Sequence, residues 1–165
     1  MTQKPPGLES LPQENVLVKI EEGIAWVTLN RPSKRNAFNP AIVYEMVQGM
    51  DVLEMEESAR CVVITGAGDA FSAGQDLKEY FREMDAGHPM LRERLYRANS
   101  GWQWRRMMHY PKPTIAMVNG WCFGGAFQVL LACDLAVADE EATFGLSEIN
   151  WGIIPAGIVT KSVAM

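Results

Sequence analysis

Alternating and helically spaced apolar positions predict a β-hairpin followed by a helix near the start of the chain. Residues 16–20 alternate between apolar and polar side chains, residues 21–23 form a turn, and residues 24–29 are a second β-rich run. Asn39 followed by Pro40 is typical of a helix start, with Asn as the N-cap and Pro at the first helical position. Apolar residues then recur at helical spacing, which predicts a helix that runs to about Glu57.

Short apolar segments alternate with helical ones along the rest of the chain. Strands are predicted at residues 61–65, 114–118 and 134–138, the first two of the continuous apolar kind typical of buried strands. Helical segments are predicted over residues 76–109, with an interruption at 87–89, and over residues 126–132 and 156–165. Strands that alternate with helices in this way predict an α/β fold.

The length and the start of the chain predict a single domain with an N-terminal arm. A chain of 165 residues is long enough for one domain with one sizeable core. Residues 1–14 contain three prolines and one glycine and show no periodicity, so we expect a flexible arm there. The domain is then expected to occupy residues 15–165.

Composition excludes several classes of protein. The net charge of −5 argues against a nucleic-acid binder, and no apolar run approaches the length of about 20 residues that a membrane span needs. The Arg- and Trp-rich segment at 92–109 suggests a nucleic-acid surface or a packed amphipathic helix, and the acidic total favours the packed helix. The N-terminus lacks the apolar stretch of a secretory signal.

The cysteines point to a reducing compartment. Cys61, Cys122 and Cys133 lie in apolar company without the spacing of metal ligands, so we expect buried free thiols. These features together predict a cytoplasmic protein.

Two glycine loops each follow a predicted strand and precede a predicted helix. We call residues 65–76 the first glycine loop and residues 118–126 the second glycine loop. Backbone N–H groups at a helix start lack partners, so two adjacent loops of this kind offer two donors to one oxygen, as an oxyanion hole does. The alternative is that the glycines only permit tight turns. Phe71 replaces the last glycine of a dinucleotide-binding fingerprint, and no P-loop is present.

One acid and one tyrosine are further candidates for chemistry. Glu148 is the only acid in an otherwise small or apolar stretch, which suits a general acid or base; the alternative is an exposed or structural loop acid. Tyr80 follows the first glycine loop and is expected either to pack in the core or to place its hydroxyl in a pocket. His88 and His109 lack companion ligands, so both are expected at the surface, with no metal site.

Five ordered motifs resemble the crotonase (enoyl-CoA hydratase/isomerase) superfamily, namely residues 30–37, 72–77, 119–125, 132–135 and 144–148. Within it, residues 76–83, 118–125 and 145–152 resemble the hydroxycinnamoyl-CoA (feruloyl-CoA) hydratase-lyases. The resemblance implies a crotonase-like spiral of repeated ββα units. It also implies an acyl-CoA substrate, no cofactor beyond the CoA of that substrate, and a homotrimer or hexamer in full-length relatives.

The resemblance implies a role for each candidate residue. The backbone N–H groups of Gln75 and Gly125 would hold the thioester carbonyl, Glu148 would move the proton of the adding water, and Tyr80 would bind the para-hydroxyl of the substrate ring. The remaining roles fall to substrate and CoA binding: Lys34 and the backbone at Ala73 for the CoA nucleotide, and Leu77, Ser147 and Trp151 for the acyl pocket. The implied reaction is that of a lyase, which hydrates feruloyl-CoA and cleaves the product to vanillin and acetyl-CoA.

Two departures from the family pattern keep alternatives open. Gln128 stands where hydratases of the superfamily carry a second glutamate, and it is able to orient water but not to act as an acid or base. Relatives also continue beyond residue 165, so we expect the C-terminal part of the domain to be missing. The alternatives are a general enoyl-CoA hydratase or isomerase and a non-catalytic truncated remnant.

Overall fold

Helices and strands alternate along the chain in the computed structural model, which describes residues 7–155, 157 and 158. The strands are β1 Val16–Glu21, β2 Ile24–Leu29, β3 Cys61–Gly66, β4 Ala70–Ser72, β5 Thr114–Val118, β6 Trp121–Phe123, β7 Leu135–Ala138 and β8 Phe144–Gly145. The α-helices are α1 Pro40–Met55, α2 Glu83–Asp85, α3 Pro89–Ser100 and α4 Gly125–Ala132. Two π-helices, Leu77–Arg82 and Gly101–Arg106, and the 3₁₀-helices Leu8–Ser10, Pro32–Lys34, Met107–His109 and Glu148–Trp151 complete the elements. The predicted α/β class is confirmed.

The main sheet has five strands in the order β1-β2-β3-β5-β7. β1 and β2 form the predicted antiparallel hairpin, with Val16 opposite Leu29. The other neighbours are parallel. β7 lies at the edge of this sheet, and its apolar residues Leu135 and Val137 are exposed.

A second, smaller sheet explains how the chain repeats. Its strands β4, β6 and β8 are parallel and follow β3, β5 and β7 respectively along the chain. A helical segment comes after each of them, so the ββα units expected from the resemblance are present. The three-residue strands β4 and β6 lie within the two segments that the sequence predicted only as glycine loops.

The core lies between the main sheet and α1. Asn39 caps α1 as predicted, because its side chain accepts a hydrogen bond from the Ile42 N–H. The helix ends at Met55, two residues before the predicted end at Glu57. Glu45 is buried on α1 and accepts hydrogen bonds from the backbone of Asn15 and Val16, which ties the helix to the start of β1.

The predicted packed helix at residues 92–109 is confirmed. Trp102 is buried with its ring centroid 5.2 Å from that of Phe38, and Arg106 forms ion pairs with Asp51 and Glu54 of α1. The predicted interruption at residues 87–89 separates α2 from α3, and its His88 caps α3 through Nδ1. His88 and His109 are exposed, as predicted.

Several expectations concern the chain ends and the cysteines. Residues 1–6 of the predicted arm lie outside the described residues, and Leu8 and Leu11 pack against the core. The boundary between an arm at residues 1–14 and a domain at residues 15–165 stays a prediction. Of the predicted helix at 156–165, only Gly157 and Ile158 are described, and Ile158 is buried in the core. Cys122 and Cys133 are buried as expected, and Cys122 is a free thiol. Cys61 is also a free thiol but is half-buried, because it begins β3 rather than lying within it.

Among the helices that the structure describes, none has the length and apolar character that crossing a bilayer requires.

Candidate active site

A cavity of about 690 Å³ collects the residues that the sequence singled out. All ten of them line it: Lys34, Ala73, Gln75, Leu77, Tyr80, Gly125, Gln128, Ser147, Glu148 and Trp151. They come from both glycine loops, from the first π-helix and from α4, and from the 3₁₀-helices Pro32–Lys34 and Glu148–Trp151 with the N-cap of the latter. Their chemical roles stay predictions, but the fold brings all of them to one place.

The two glycine loops are in direct contact beside this cavity. Gly74 has a φ of +84°, and a Cβ atom at this position would lie 2.7 Å from the Phe123 oxygen and 2.9 Å from the Gly125 nitrogen. Both the backbone conformation and the space therefore require glycine at this position. The first loop approaches the second loop at the residue where α4 begins.

Two backbone amides on the loops are available to a ligand. The Phe38 N–H donates to the Gly74 oxygen at 2.7 Å, and the Asp76 N–H donates to the Phe38 oxygen at 2.9 Å. The Gln75 N–H between them takes no part in this pairing, because successive N–H groups of an extended segment point to opposite sides. The Gly125 N–H opens α4, where helix amides have no partner within the helix. Both residues line the cavity, and two such N–H groups are the kind of donor that an oxyanion hole uses; that role stays a prediction.

Two asparagines hold the base of the first glycine loop. Asn36 is fully buried, and its Nδ2 donates to the oxygens of Ala67 and Ala70 at 2.9 and 2.7 Å. Asn119 belongs to the second loop, and its Nδ2 donates to the oxygens of Gly66 and Gly68 at 2.8 and 3.0 Å. Side-chain amides thus replace the regular backbone pairing that the turn interrupts.

A half-buried ion network fixes the far end of the same loop. Arg31 donates to Asp76 at 3.2 Å and to Glu79 at 2.8 Å, and Asn39 donates to the other oxygen of Glu79 at 2.8 Å. Asp76 also accepts from the backbone N–H groups of Lys78 and Glu79 and so caps the first π-helix. Burial opposes its charge, but the hydrogen bonds from Glu79, Arg31 and Lys78 outweigh burial and lower the pKa of Asp76.

Glu148 lies directly against the second glycine loop. A Cβ atom on Gly124 would lie 3.9 Å from both Cδ and Oε1 of Glu148. The Oε2 atom is buried and has no hydrogen-bond partner among the described residues. A carboxyl group that lines a cavity and has one oxygen without a partner among the described residues is suited to exchanging a proton with a bound molecule.

Tyr80 occupies the buried side of the cavity. Its ring stacks on Tyr96, with centroids 5.7 Å apart, and meets Phe81 edge-on at 5.1 Å. Burial raises the pKa of the Tyr80 phenol, Tyr96 adds to the rise, and a hydrogen bond with Asn99 partly offsets it. The hydroxyl is therefore neutral and able to donate a hydrogen bond across the ordinary pH range.

Sequence reasoning missed two buried amides in the cavity wall, Asn99 and Gln103. Asn99 lies on α3 and Gln103 on the second π-helix, and both line the cavity beside the predicted Gln75. Neither belongs to a motif, and the Arg- and Trp-rich composition around them indicated only a packed helix. The remaining amide, Gln128, was predicted and lies one turn into α4, where its side chain is buried.

Two lysines are among the exposed residues of the cavity lining. Lys78 forms an ion pair with Glu83 at 3.6 Å, whereas Lys34 is a cation suited to an anionic group of a ligand. The Ala73 N–H already donates to the Arg35 oxygen at 2.8 Å, so the Ala73 carbonyl is the backbone group that a ligand would meet there. No group of three or more His, Cys, Asp or Glu side chains within the described residues is arranged to hold a metal.

The chain is similar to known proteins. A family model described as enoyl-CoA hydratase/isomerase matches residues 19–165. The chain is 58% identical over 151 residues to a hydroxycinnamoyl-CoA hydratase-lyase of Pseudomonas fluorescens, covering 92% of this chain and 55% of that protein. It is 36% identical over 141 residues to a 2,3-dehydroadipyl-CoA hydratase of Escherichia coli, covering 85% of this chain and 52% of that protein.

A solved structure shares the architecture. The crystal structure of an enoyl-CoA hydratase from Shewanella pealeana superposes with a TM-score of 0.80 at 30% identity, covering 90% of this chain and 54% of that one. The chain therefore spans about half the length of the relatives that it matches.

Proposed function

This chain belongs to the enoyl-CoA hydratase/isomerase family, and from this we propose that its protein hydrates and then cleaves a hydroxycinnamoyl-CoA thioester. With feruloyl-CoA the products are vanillin and acetyl-CoA, which makes the protein a lyase. The contact between the two glycine loops, with Glu148 beside them, is the observation that carries the proposal. The similarity to a hydroxycinnamoyl-CoA hydratase-lyase supports this choice of substrate.

The first step uses the two backbone amides. The thioester carbonyl oxygen accepts hydrogen bonds from the Gln75 and Gly125 N–H groups, which stabilise the negative charge that develops on it when water adds at the β-carbon. Removing one donor of this kind typically costs a factor of about 10²–10³ in kcat. The donors are fixed before substrate arrives, because the Phe38 pairing and the start of α4 hold them.

Glu148 moves the protons in both steps. Its carboxylate takes a proton from the adding water, and the acid so formed protonates the α-carbon, which gives the β-hydroxy thioester. In the second step the Glu148 carboxylate removes the β-hydroxyl proton. The bond between the α- and β-carbons then breaks, and its electron pair forms the thioester enolate. Protonation of that enolate gives acetyl-CoA, and the former β-carbon leaves as the aldehyde. No oxidant or reductant is consumed, and the thioester itself makes the α-carbon acidic, so neither a metal nor a redox cofactor is needed.

The aromatic part of the substrate is assigned to the buried side of the cavity. The Tyr80 hydroxyl hydrogen-bonds the para-hydroxyl, while Leu77, Ser147 and Trp151 surround the acyl chain. The neutral, buried phenol of Tyr80 supports this role, since a buried polar group discriminates strongly between partners that satisfy it and partners that do not. The CoA nucleotide lies at the mouth, against Lys34 and the Ala73 carbonyl.

Gln128 bears on the alternative of a general enoyl-CoA hydratase. Its side chain is buried in the cavity wall, but an amide does not ionise near neutral pH, so a mechanism with two acidic residues has no second acid at this position. In the hydratase-lyase mechanism Gln128 only needs to orient water. A non-catalytic remnant is the further alternative, which the experiment below also tests.

Assembly and location complete the proposal. We place the protein in the cytoplasm, which the free thiols of Cys61 and Cys122 support, and as a homotrimer or hexamer when it has the full length of its relatives.

The direct test is to incubate the purified chain with feruloyl-CoA and to quantify vanillin and acetyl-CoA. The proposal expects the two products in equal amounts. Conversion of crotonyl-CoA to its 3-hydroxy product, without aldehyde from feruloyl-CoA, would favour the general hydratase. Neither binding nor turnover of either thioester would favour the remnant and contradict the proposal.

A further inference from the structure

A buried glutamine connects the two glycine loops through its side chain. Gln103 is only 1% exposed, and its Nε2 donates to the Gly125 oxygen at 3.2 Å. Its Oε1 accepts from Gln75 Nε2 at 3.2 Å and from Asn99 Nδ2 at 2.7 Å. One side chain thus contacts the residues that carry both oxyanion donors.

Gln75 itself extends this connection. Its amide group lies against the Cα of Gly125, because a Cβ atom there would come within 2.0 Å of Gln75 Oε1. Gln75 therefore contributes a backbone N–H on the first loop and covers the second loop with its side chain. Gln103 fixes that side chain from behind, since it accepts from Gln75 and donates to Gly125 at the same time.

The element that carries Gln103 is itself anchored to the first loop. Trp102 precedes it in the second π-helix and packs edge-on against Phe38, whose backbone pairs with both neighbours of Gln75. Consecutive residues of one helix thus hold the loop by an aromatic contact and by hydrogen bonds. π-helical turns are rare and occur frequently at functional sites.

We propose that Gln103 is a positioning residue that sets the relative placement of the Gln75 and Gly125 N–H groups; this rests on the proposed function of those groups as an oxyanion hole. Gln103 does not touch the reacting atoms and acts through Gln75 and Gly125. A shift of about 1 Å in such donors is enough to lower the rate by about 10²-fold. Its loss should therefore weaken polarisation of the thioester carbonyl more than it weakens binding.

The test uses the absorption band of feruloyl-CoA, which moves to longer wavelength when hydrogen bonds polarise the conjugated carbonyl. The 165-residue chain is compared with Gln103→Met, which keeps the length of the side chain and removes its amide. The spectra of all proteins are recorded in a Glu148→Gln background, so that the bound thioester is not turned over. We expect the variant to bind feruloyl-CoA within about threefold of the unaltered chain, but to lose more than half of the red shift at saturation. Wherever turnover is measurable, kcat should fall about 10–100-fold while KM changes little.

A second variant separates positioning from simple packing. In Gln103→Glu the protonated acid keeps one donor for the Gly125 oxygen and one acceptor for Gln75, whereas the carboxylate has no donor. The red shift of this variant should therefore be present at low pH and disappear as pH rises, while that of the unaltered chain stays constant. The pH profile decides the question even if Gln103→Met fails to fold.

The control is Gln48→Met, which makes the same substitution at an exposed position of α1. It should leave the red shift unchanged. A full red shift in Gln103→Met, or a pH-independent one in Gln103→Glu, would overturn the role of Gln103 and leave the proposed function intact. Failure of the unaltered chain to bind feruloyl-CoA would instead overturn the proposed function, and the role of Gln103 with it.

Discussion

The backbones of Gly74 and Gly125 approach so closely that one methyl group on Gly74 would come within 2.9 Å of the Gly125 nitrogen. This contact joins two segments that are about fifty residues apart in the chain. It exists because each loop follows a parallel strand, and parallel strands deliver their carboxyl ends to the same edge of a sheet.

The contact makes Gly74→Ala a sharp test of the oxyanion hole. The substitution forces a residue with a side chain to a φ of +84° and pushes it into the Phe123 oxygen. The strain alone costs about 1–2 kcal/mol, so Tm should fall by several degrees, and the red shift of bound feruloyl-CoA should disappear.

Gly87→Ala is the matched control. An added Cβ there meets only ordinary contacts, the nearest at 3.4 Å, and Gly87 is exposed. Calorimetry and absorption spectra should show little change. Equal effects of the two substitutions would mean that the contact between the loops has no special role.

Glu148→Gln should abolish turnover and leave binding of the CoA thioester within a few-fold. The amide keeps the shape of the side chain but exchanges no proton, and general acid–base catalysis contributes about 10²–10⁴-fold. The measurement is kcat for feruloyl-CoA beside Kd from equilibrium titration, ideally in a full-length relative. Glu140→Gln changes an exposed acid outside the cavity and should retain full activity. A Glu148→Gln enzyme with more than half of the normal kcat would remove Glu148 from the mechanism.

Tyr80→Phe should reduce the preference for para-hydroxylated substrates. The ring stays packed on Tyr96 and only the hydroxyl is lost, so stability should change little. The ratio of kcat/KM for feruloyl-CoA to that for cinnamoyl-CoA measures the effect, and we expect it to fall by about tenfold or more. Tyr110→Phe, which removes a buried tyrosine hydroxyl outside the cavity lining, is the control and should leave the ratio unchanged. A ratio unchanged by Tyr80→Phe would show that the Tyr80 hydroxyl does not bind the para-hydroxyl of the substrate.

Asp76 should give the fold a dependence on acid pH. Its pKa in the folded state is lowered below the ordinary value of 3.8, so the carboxylate contributes stability above that value. This contribution is lost as pH falls through the lowered pKa. Asp76→Asn should therefore reduce the free energy of unfolding by about 1–3 kcal/mol at pH 7, and the difference should shrink below about pH 4.

Denaturant titrations from pH 2.5 to 7 measure this difference. Asp69→Asn, at an exposed position of the same loop that makes no ion pair within residues 7–155, is the control. If the penalty of Asp76→Asn stays constant across this range, the charge of Asp76 does not stabilise the loop.

The pattern of neighbouring residues was sufficient to predict the strands of the main sheet and helix α1. The hairpin at residues 16–29, the Asn39-Pro40 helix start and the apolar strands at 61–65 and 114–118 depend on neighbouring residues, and all are present. Strands β4, β6 and β8 were not predictable in the same way. Each has two or three residues inside a glycine-rich segment, and they pair only because the fold stacks successive units.

The candidate site was predicted unevenly for a related reason. Glu148 and the glycine loops carry local signals, namely an isolated acid and glycines between a strand and a helix. Gln103 carries none, because its partners Gln75 and Gly125 are distant in sequence and the π-helical turn that directs it is not encoded by a residue type. A buried amide is recognisable as functional only once the atoms around it are known.

The exposed edge strand β7 has a consequence for how the chain behaves at high concentration. Leu135 and Val137 present apolar surface on a strand whose outer edge pairs with no other strand among the described residues, which favours strand-to-strand adhesion between molecules. At pH 7 the net charge of −5 opposes that adhesion, and the charge vanishes near the isoelectric point of about 5.1. Colloidal stability should therefore pass through a minimum close to pH 5. Added salt should worsen it at neutral pH, because a Debye length of about 8 Å at physiological ionic strength leaves the repulsion little range.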